Sequence, residues 1–303
     1  EYPNRNDYIG GSGIELGKVC FSNFRSPIQQ DGGAIHVINA QIDFEKCRFY
    51  NCSTDCNGGA IFATIAIFDC EIEIEDCIFD SCEANEDGGA VFVYMWEDYC
   101  EMEVDNAIFI NCTSHRNGGA FYVEFDGNNC NLEFEDTSFD SCIAYNEGGA
   151  LYFFNHRSSR STFETCNFTN NKASNAGAFY YSPFSYSKLC RCEFVNNTCT
   201  EKNCSSSVYV YIDPNQSTAI LQSDPEDNET KPGDDDGEDH NDNIDGDITD
   251  NLTFNNVVIS GNVFSSDPIL ESSQIIIIMK KNSQLLLGKN SFSFNNKDKF
   301  AEE

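Results

Sequence analysis

Hydrophobic and polar residues alternate with period two along most of the chain. CEIEIEDC (Cys70–Cys77) sets acids against aliphatic side chains, and CEMEVDN (Cys100–Asn106) and CNLEFED (Cys130–Asp136) repeat the arrangement. Such alternation predicts strands with one wet face and one dry face. A second alternating segment follows each Gly-Gly-Ala, with Ile35 and Val37, Ile61 and Ala63, Val91 and Val93, Phe121 and Val123, and Leu151 and Phe153 at its apolar positions. A third, shorter strand holds the Cys-x-Phe-x-Asn words. The 3.6-residue periodicity of a helix is absent.

The three segments recur together. Phe49, Phe79, Phe109 and Phe139 are 30 residues apart, Phe168 and Phe194 follow at 29 and 26, and Phe21 heads an earlier, divergent copy. Gly-Gly-Ala begins at Gly32, Gly58, Gly88, Gly118 and Gly148, and Ala176-Gly177-Ala178 is a degraded form. Three strands per ~30 residues and no helix describe one coil of a parallel β-helix, each coil stacked on the last at ~4.8 Å. A propeller blade needs ~40 residues or more. An antiparallel sandwich would not hold Gly-Gly at one phase of the repeat. The expected fold is therefore an all-β parallel β-helix, or solenoid, of about seven to ten coils. Residues 1–221 form the repeats, 222–251 an acidic loop insertion, and 252–303 further coils of weaker phase. Gly-Gly supplies a corner where a Cβ would clash or φ must be positive. Asn23, Asn51, Asn111, Asn170 and Asn196 stack at another corner, interrupted by Ser81 and Ser141.

Charge narrows the partners. Asp and Glu outnumber Lys and Arg by 50 to 18, for a net charge of −32. Such a surface repels nucleic acid and anionic lipid and attracts cations and basic proteins. No run approaches the ~18 apolar residues of a membrane span, and QIIIIMKK (Gln274–Lys281) fits a buried strand. Sixteen cysteines without a CxxC pair point to an oxidising, extracytoplasmic setting rather than a zinc or redox site. Sequons at Asn51, Asn111, Asn167, Asn196, Asn203, Asn215, Asn228 and Asn251 agree and are glycosylation candidates. The start at Glu1, without Met or a leader, is what a mature or trimmed chain would show.

The phased Gly-Gly-Ala-[Ile/Val/Leu/Phe] words, alternating with Phe-x-x-Asn-like motifs over residues 18–212, resemble the repeats of polymorphic outer membrane proteins of chlamydiae and of some protist surface proteins. In most copies here the motif reads Phe-x-[Asn/Ser]-Cys. The resemblance implies a right-handed parallel β-helix on a cell surface, serving adhesion.

In a register-locked stack every outward position becomes a row. One acidic row is Asp43, Glu73, Glu103 and Glu133, and another is Glu45, Glu75, Asp105, Glu135 and Glu164. Like charges about 4.8 Å apart repel by roughly 1 kcal/mol in water and several times that at a dielectric of ~20. They form a solvated face, or divalent cations bridge them. Ca²⁺ is the candidate cofactor. An outward aromatic row comprises His36, Phe62, Phe92, Tyr122, Tyr152, Tyr180 and Tyr209. It either binds sugar rings or protein, or stacks on itself to pin the register. Cysteine rows are Cys52, Cys82, Cys112 and Cys142; Cys70, Cys100 and Cys130; Cys47 and Cys77; and Cys166 and Cys192. They are candidates for inter-coil disulfides, the alternative being buried thiol stacks.

Within the acidic insertion, Asn241, Asn243, Asp245 and Asp247 match early positions of an EF-hand-type calcium loop, although Leu252 stands where the final Glu belongs. The four histidines, His36, His115, His156 and His240, fall at scattered phases with no visible acid/base partner. Acids that repeat with the fold behave as a surface row rather than as a converging catalytic pair. The sequence thus predicts a non-catalytic extracellular or cell-surface scaffold for adhesion or for self-assembly into a layer or fibre. Its partners are other copies of itself, surface proteins or glycans. The alternative is a polysaccharide lyase or glycoside hydrolase on the same fold.

Overall fold

The structure, a computed structural model, describes residues 13–183, 187–202 and 204–211, together with the backbone of five strands between residues 256 and 294. Its strands pair in parallel and build four sheets of nine, six, eight and nine strands. A central coil runs Val91–Met95, Glu101–Asp105, Ile108–Ile110 and Thr113–Ser114. Each of these pairs with the strand thirty residues before it and thirty after, without slip. This is the parallel β-solenoid that the repeat predicts. The two-residue strand Thr113–Ser114 is additional to the three expected, because the corner before Gly-Gly-Ala stays extended long enough to make ladder bonds. We call the four sheets, in that chain order, the tyrosine, acidic, phenylalanine and short sheets. The strands Asn256–Ser260 and Val263–Ser266 join the acidic and phenylalanine sheets beside Ser187–Cys190 and Glu193–Val195.

Register turns the inward residues into columns. Phe21, Phe49, Phe79, Phe109, Phe139, Phe168 and Phe194 stack face to face, with successive centroids 4.7–5.0 Å apart. All but Phe21 are fully buried. Burial of so much aromatic surface, coil upon coil, is what lets a helix-free chain of short strands hold together.

The two glycines of each Gly-Gly-Ala do different jobs. Gly88 has φ +66°, the left-handed conformation that β-carbon sterics disfavour. Gly89 needs bareness instead: a Cβ there would lie 1.9 Å from the carbonyl oxygen of Gly119 on the next coil. Where the motif degrades, Ala176 itself takes the left-handed conformation, at φ +52°. The Asn/Ser corner has a similar cause. Asn51, Ser81, Asn111, Ser141, Asn170 and Asn196 all have φ between +51° and +58°, a region that short polar side chains tolerate best after glycine.

Candidate functional site

The acidic rows lie as expected. Asp43, Glu73, Glu103 and Glu133 are register partners, and so are Glu45, Glu75, Asp105, Glu135 and Glu164. Glu15 precedes the first row, and Thr162 and Lys188 follow it. Compensation sits at the ends. Lys46 contacts Glu45 and also Asp76, at 3.1 Å, and Glu164 contacts Lys188, at 3.1 Å, and Arg191. The middle is left alone. Burial, and then neighbouring acids, raise the carboxyl pKa of Glu73, Glu103 and Glu133. Oδ1 of Asp43 is buried with no hydrogen-bond partner. Among the described residues no three side chains converge as metal ligands: the rows are lines, not cages. Asn241, Asn243, Asp245 and Asp247 lie outside the described residues, as do the sequons at Asn203, Asn215, Asn228 and Asn251. Asn51, Asn111, Asn167 and Asn196 are exposed.

The cysteine rows are in register but hold no disulfide. Cys47, Cys52, Cys70, Cys77, Cys82, Cys100, Cys112, Cys142, Cys166 and Cys192 are free thiols, and all are buried. The thiol stack, not the staple, is what forms. The reason lies in where each Sγ points. Cys82, Cys112 and Cys142 donate to the carbonyls of Phe49, Phe79 and Phe109 on the preceding coil, each at 3.7 Å. Where this column changes residue type, Nδ2 of Asn171 donates to Phe139 O at 3.1 Å, and Nδ2 of Asn197 to Phe168 O at 2.8 Å. The other columns follow the same rule. Thr137 donates to Val104 O as Cys77 does to Phe44 O, and Ser159 donates to Gly127 O as Cys130 does to Glu97 O. Cysteine here is a small buried side chain with a weak donor, exchangeable with Asn, Thr or Ser. The disulfide that is present joins Cys199 to Cys204, with Cα atoms 6.1 Å apart. Only five residues separate that pair, so no inter-coil spacing marks it in the sequence.

The aromatic row forms one continuous stack. From His36 through Phe62, Phe92, Tyr122, Tyr152, Tyr180 to Tyr209, successive centroids lie 4.6–5.4 Å apart. From Phe62 to Tyr180 the rings are within 9° of parallel. Stacking at this distance covers the ring faces, and the row is less open than an outward strip would be: Phe62 and Tyr180 are buried, and the other five rings are half-buried. A sugar needs a free face, so the geometry favours the register-pinning role within the stack.

Beside it runs a ladder that the sequence reading overlooked. The residue before each Gly-Gly-Ala alternates acid and amide: Asp31, Asn57, Asp87, Asn117, Glu147, Asn175. Nδ2 of Asn57 donates to Asp31, Nδ2 of Asn117 to Asp87, and Nδ2 of Asn175 to Glu147, at 3.0, 3.0 and 3.3 Å. Asn57 in turn accepts from the backbone amide of Asp87. No acid in this column has an acid for its neighbour. Burial raises the pKa of Asp87 and Glu147 all the same.

Two histidines have partners that the sequence concealed. Nε2 of His156 lies 2.6 Å from Oε1 of Glu124, and Nε2 of His115 lies 3.1 Å from Oε1 of Glu83. Each separation is 32 residues, one coil plus two positions, which is a signal readable once the period is known. Glu124 also accepts from the Tyr122 hydroxyl, and its hydrogen bond and charge raise the His156 pKa. Near this pair, Asp126 accepts from Nε of Arg157 at 3.1 Å.

No family profile, curated protein or solved structure matches the chain. The functional reading rests on these side chains. They offer rows of like chemistry along a rod, with mixed clusters of aromatic, acidic and basic groups around Glu124 and around His115.

Proposed function

We propose that the chain is a non-catalytic scaffold at a cell surface or outside the cell, a rod that serves adhesion or assembles into a layer or fibre. The observation that carries this reading is the in-register repetition of outward groups. The acidic rows deal the same chemistry to each successive coil, whereas glycoside hydrolysis needs two carboxylates brought to one place. The net charge of −32 supports cationic or neutral partners over nucleic acid. The exposed sequons and the Cys199–Cys204 disulfide support the extracytoplasmic setting. Ca²⁺ belongs to the reading as a bridge between neighbouring carboxylates of the acidic rows.

The test has three parts. Purified protein is viewed by electron microscopy with chelator and with millimolar Ca²⁺, assayed for attachment to cells, and incubated with a polysaccharide panel. Fibres, sheets or saturable attachment support the scaffold. Dispersed monomers that attach to nothing, or sustained release of new chain ends from a polysaccharide, overturn it.

A further inference from the structure

Trp96, Asp126 and His156 occupy one position on three successive coils. Their backbone amides donate to the carbonyls of Ile65, Met95 and Phe125, each at 2.8 Å. The residues two places earlier, Tyr94, Glu124 and Phe154, are likewise register partners on the tyrosine sheet. Here identical residues do not stack. Trp96 is about half open to solvent, at 51 %, and packs against Tyr94 with centroids 4.3 Å apart and planes tilted by 34°. His156 packs against Phe154 in the same way, at 4.5 Å. Between these two aromatic pairs stands Glu124, held by the Tyr122 hydroxyl and by His156. Arg157 pairs with Asp126 alongside.

We propose that this corner is a binding subsite for a neutral sugar ring, a step that rests on the adhesive-scaffold reading and names the ligand class it would take. Glu124 is opposed by His156 and Asp126 by Arg157, while exposed Glu97, next to Trp96 in the chain, adds to the repulsion of an anion. A cationic guest would meet Arg157 and His156. An anionic guest would meet Glu124 and Asp126 on a chain of net charge −32. What remains is a set of fixed acceptors and donors beside a half-open indole. A pyranose matches that set, since its C–H face packs on an aromatic ring while its hydroxyls both donate and accept. The seven-ring stack does not compete, because its faces are turned on one another. Three coils span roughly 10 Å at the inter-coil spacing, enough for sugars to lie along the axis rather than at one point.

Trp96 is the single tryptophan of the chain, so its fluorescence reports on this corner alone. Labelled full-length protein is applied to an array of neutral and acidic glycans. Each glycan that binds is then titrated while Trp96 emission and acrylamide quenching are followed. Neutral glycans should bind, shift the emission and protect Trp96 from quenching. His156→Ala, which keeps the reporter, should weaken binding by roughly tenfold or more. Trp96→Ala should abolish it by calorimetry while the melting temperature stays unchanged. Binding confined to acidic glycans, binding that leaves Trp96 emission and Trp96→Ala affinity unchanged, or no binding across the array overturns the subsite and leaves the scaffold reading standing. Cleavage of a bound neutral glycan would instead overturn the non-catalytic reading and leave the subsite standing.

Discussion

Nδ2 of Asn117 lies 3.0 Å from Oδ1 of Asp87, and the backbone amide of Asn117 lies 2.9 Å from the same oxygen. One buried carboxylate thus fastens the next coil twice. Asp87→Ala strands both donors at a corner with little access to water, and an unsatisfied buried group costs about 1–3 kcal/mol. The variant should unfold at lower denaturant, with Asp87→Asn, which keeps an acceptor oxygen, falling between it and the parent. Equal midpoints for the three proteins would deny the ladder a structural role.

The acidic sheet should respond to pH in the unusual direction. The carboxyls of Glu73, Glu103 and Glu133 titrate above their ordinary range, through burial first and neighbouring acids second. The folded state therefore holds their protons more tightly than the unfolded state does. Their contribution to stability is greatest below the ordinary carboxylate range and is lost as pH rises through the raised folded values. Melting temperature should accordingly climb as pH falls from neutral into the upper carboxylate range. Glu103→Gln, at an exposed position where water screens the repulsion, should raise the neutral-pH melting temperature slightly and flatten the climb, which melts across the range would show.

His156 should titrate above the ordinary histidine value because of its bond to Glu124. The ion pair's contribution is present below the ordinary value and is lost as pH rises through the raised one. An NMR titration of the ring protons reads the midpoint directly. In Glu124→Gln it should move down towards the ordinary value. A midpoint unmoved by that substitution would contradict the pairing.

Glycine substitutions should separate by position. Gly89→Ala places a methyl 1.9 Å from the Gly119 carbonyl oxygen and 2.6 Å from the Thr113 carbonyl group, with backbone on both sides. Neither can yield, and a loss above about 4 kcal/mol is expected, seen as insoluble or unfolded protein. Gly17→Ala meets nothing closer than 3.7 Å and should melt close to the parent.

The thiol columns make a chemical prediction. Cys112 donates to Phe79 O as Asn171 does to Phe139 O. Cys112→Asn should therefore cost less stability than Cys112→Val, which fills the space without a donor, by about 1 kcal/mol. Thiol labelling of the native protein should modify exposed Cys20 rapidly. The buried columns should wait for denaturant, since the fold shuts the reagent out, and burial also drives the thiol pKa of Cys77 up to about 12.

The fold was legible because its determinants repeat. The spacing of Phe49, Phe79, Phe109 and Phe139 already states the register that the sheets adopt. So were the acidic and aromatic rows, since a column is only a residue number read modulo the period. What escaped was chemistry that does not repeat in kind. Asp31, Asn57 and Asp87 look like a variable position until donor and acceptor roles are assigned. The Trp96, Asp126 and His156 corner joins unlike residues across coils, and a column of unlike residues carries no repeat signal. The cysteines were visible, yet their count suggested bonds, whereas the direction of Sγ, set by the corner geometry, decides otherwise.

The acid–amide alternation gives the solenoid a parity. Removing one coil, residues 88–117, would bring Asp87 beside Glu147, two carboxylates with no side-chain donor between them. Removing two coils, residues 58–117, would bring Asn57 beside Glu147 and restore the match. Along this edge the rod can lengthen or shorten without penalty only in even steps. Its unit of growth is twice the period that the phenylalanines announce.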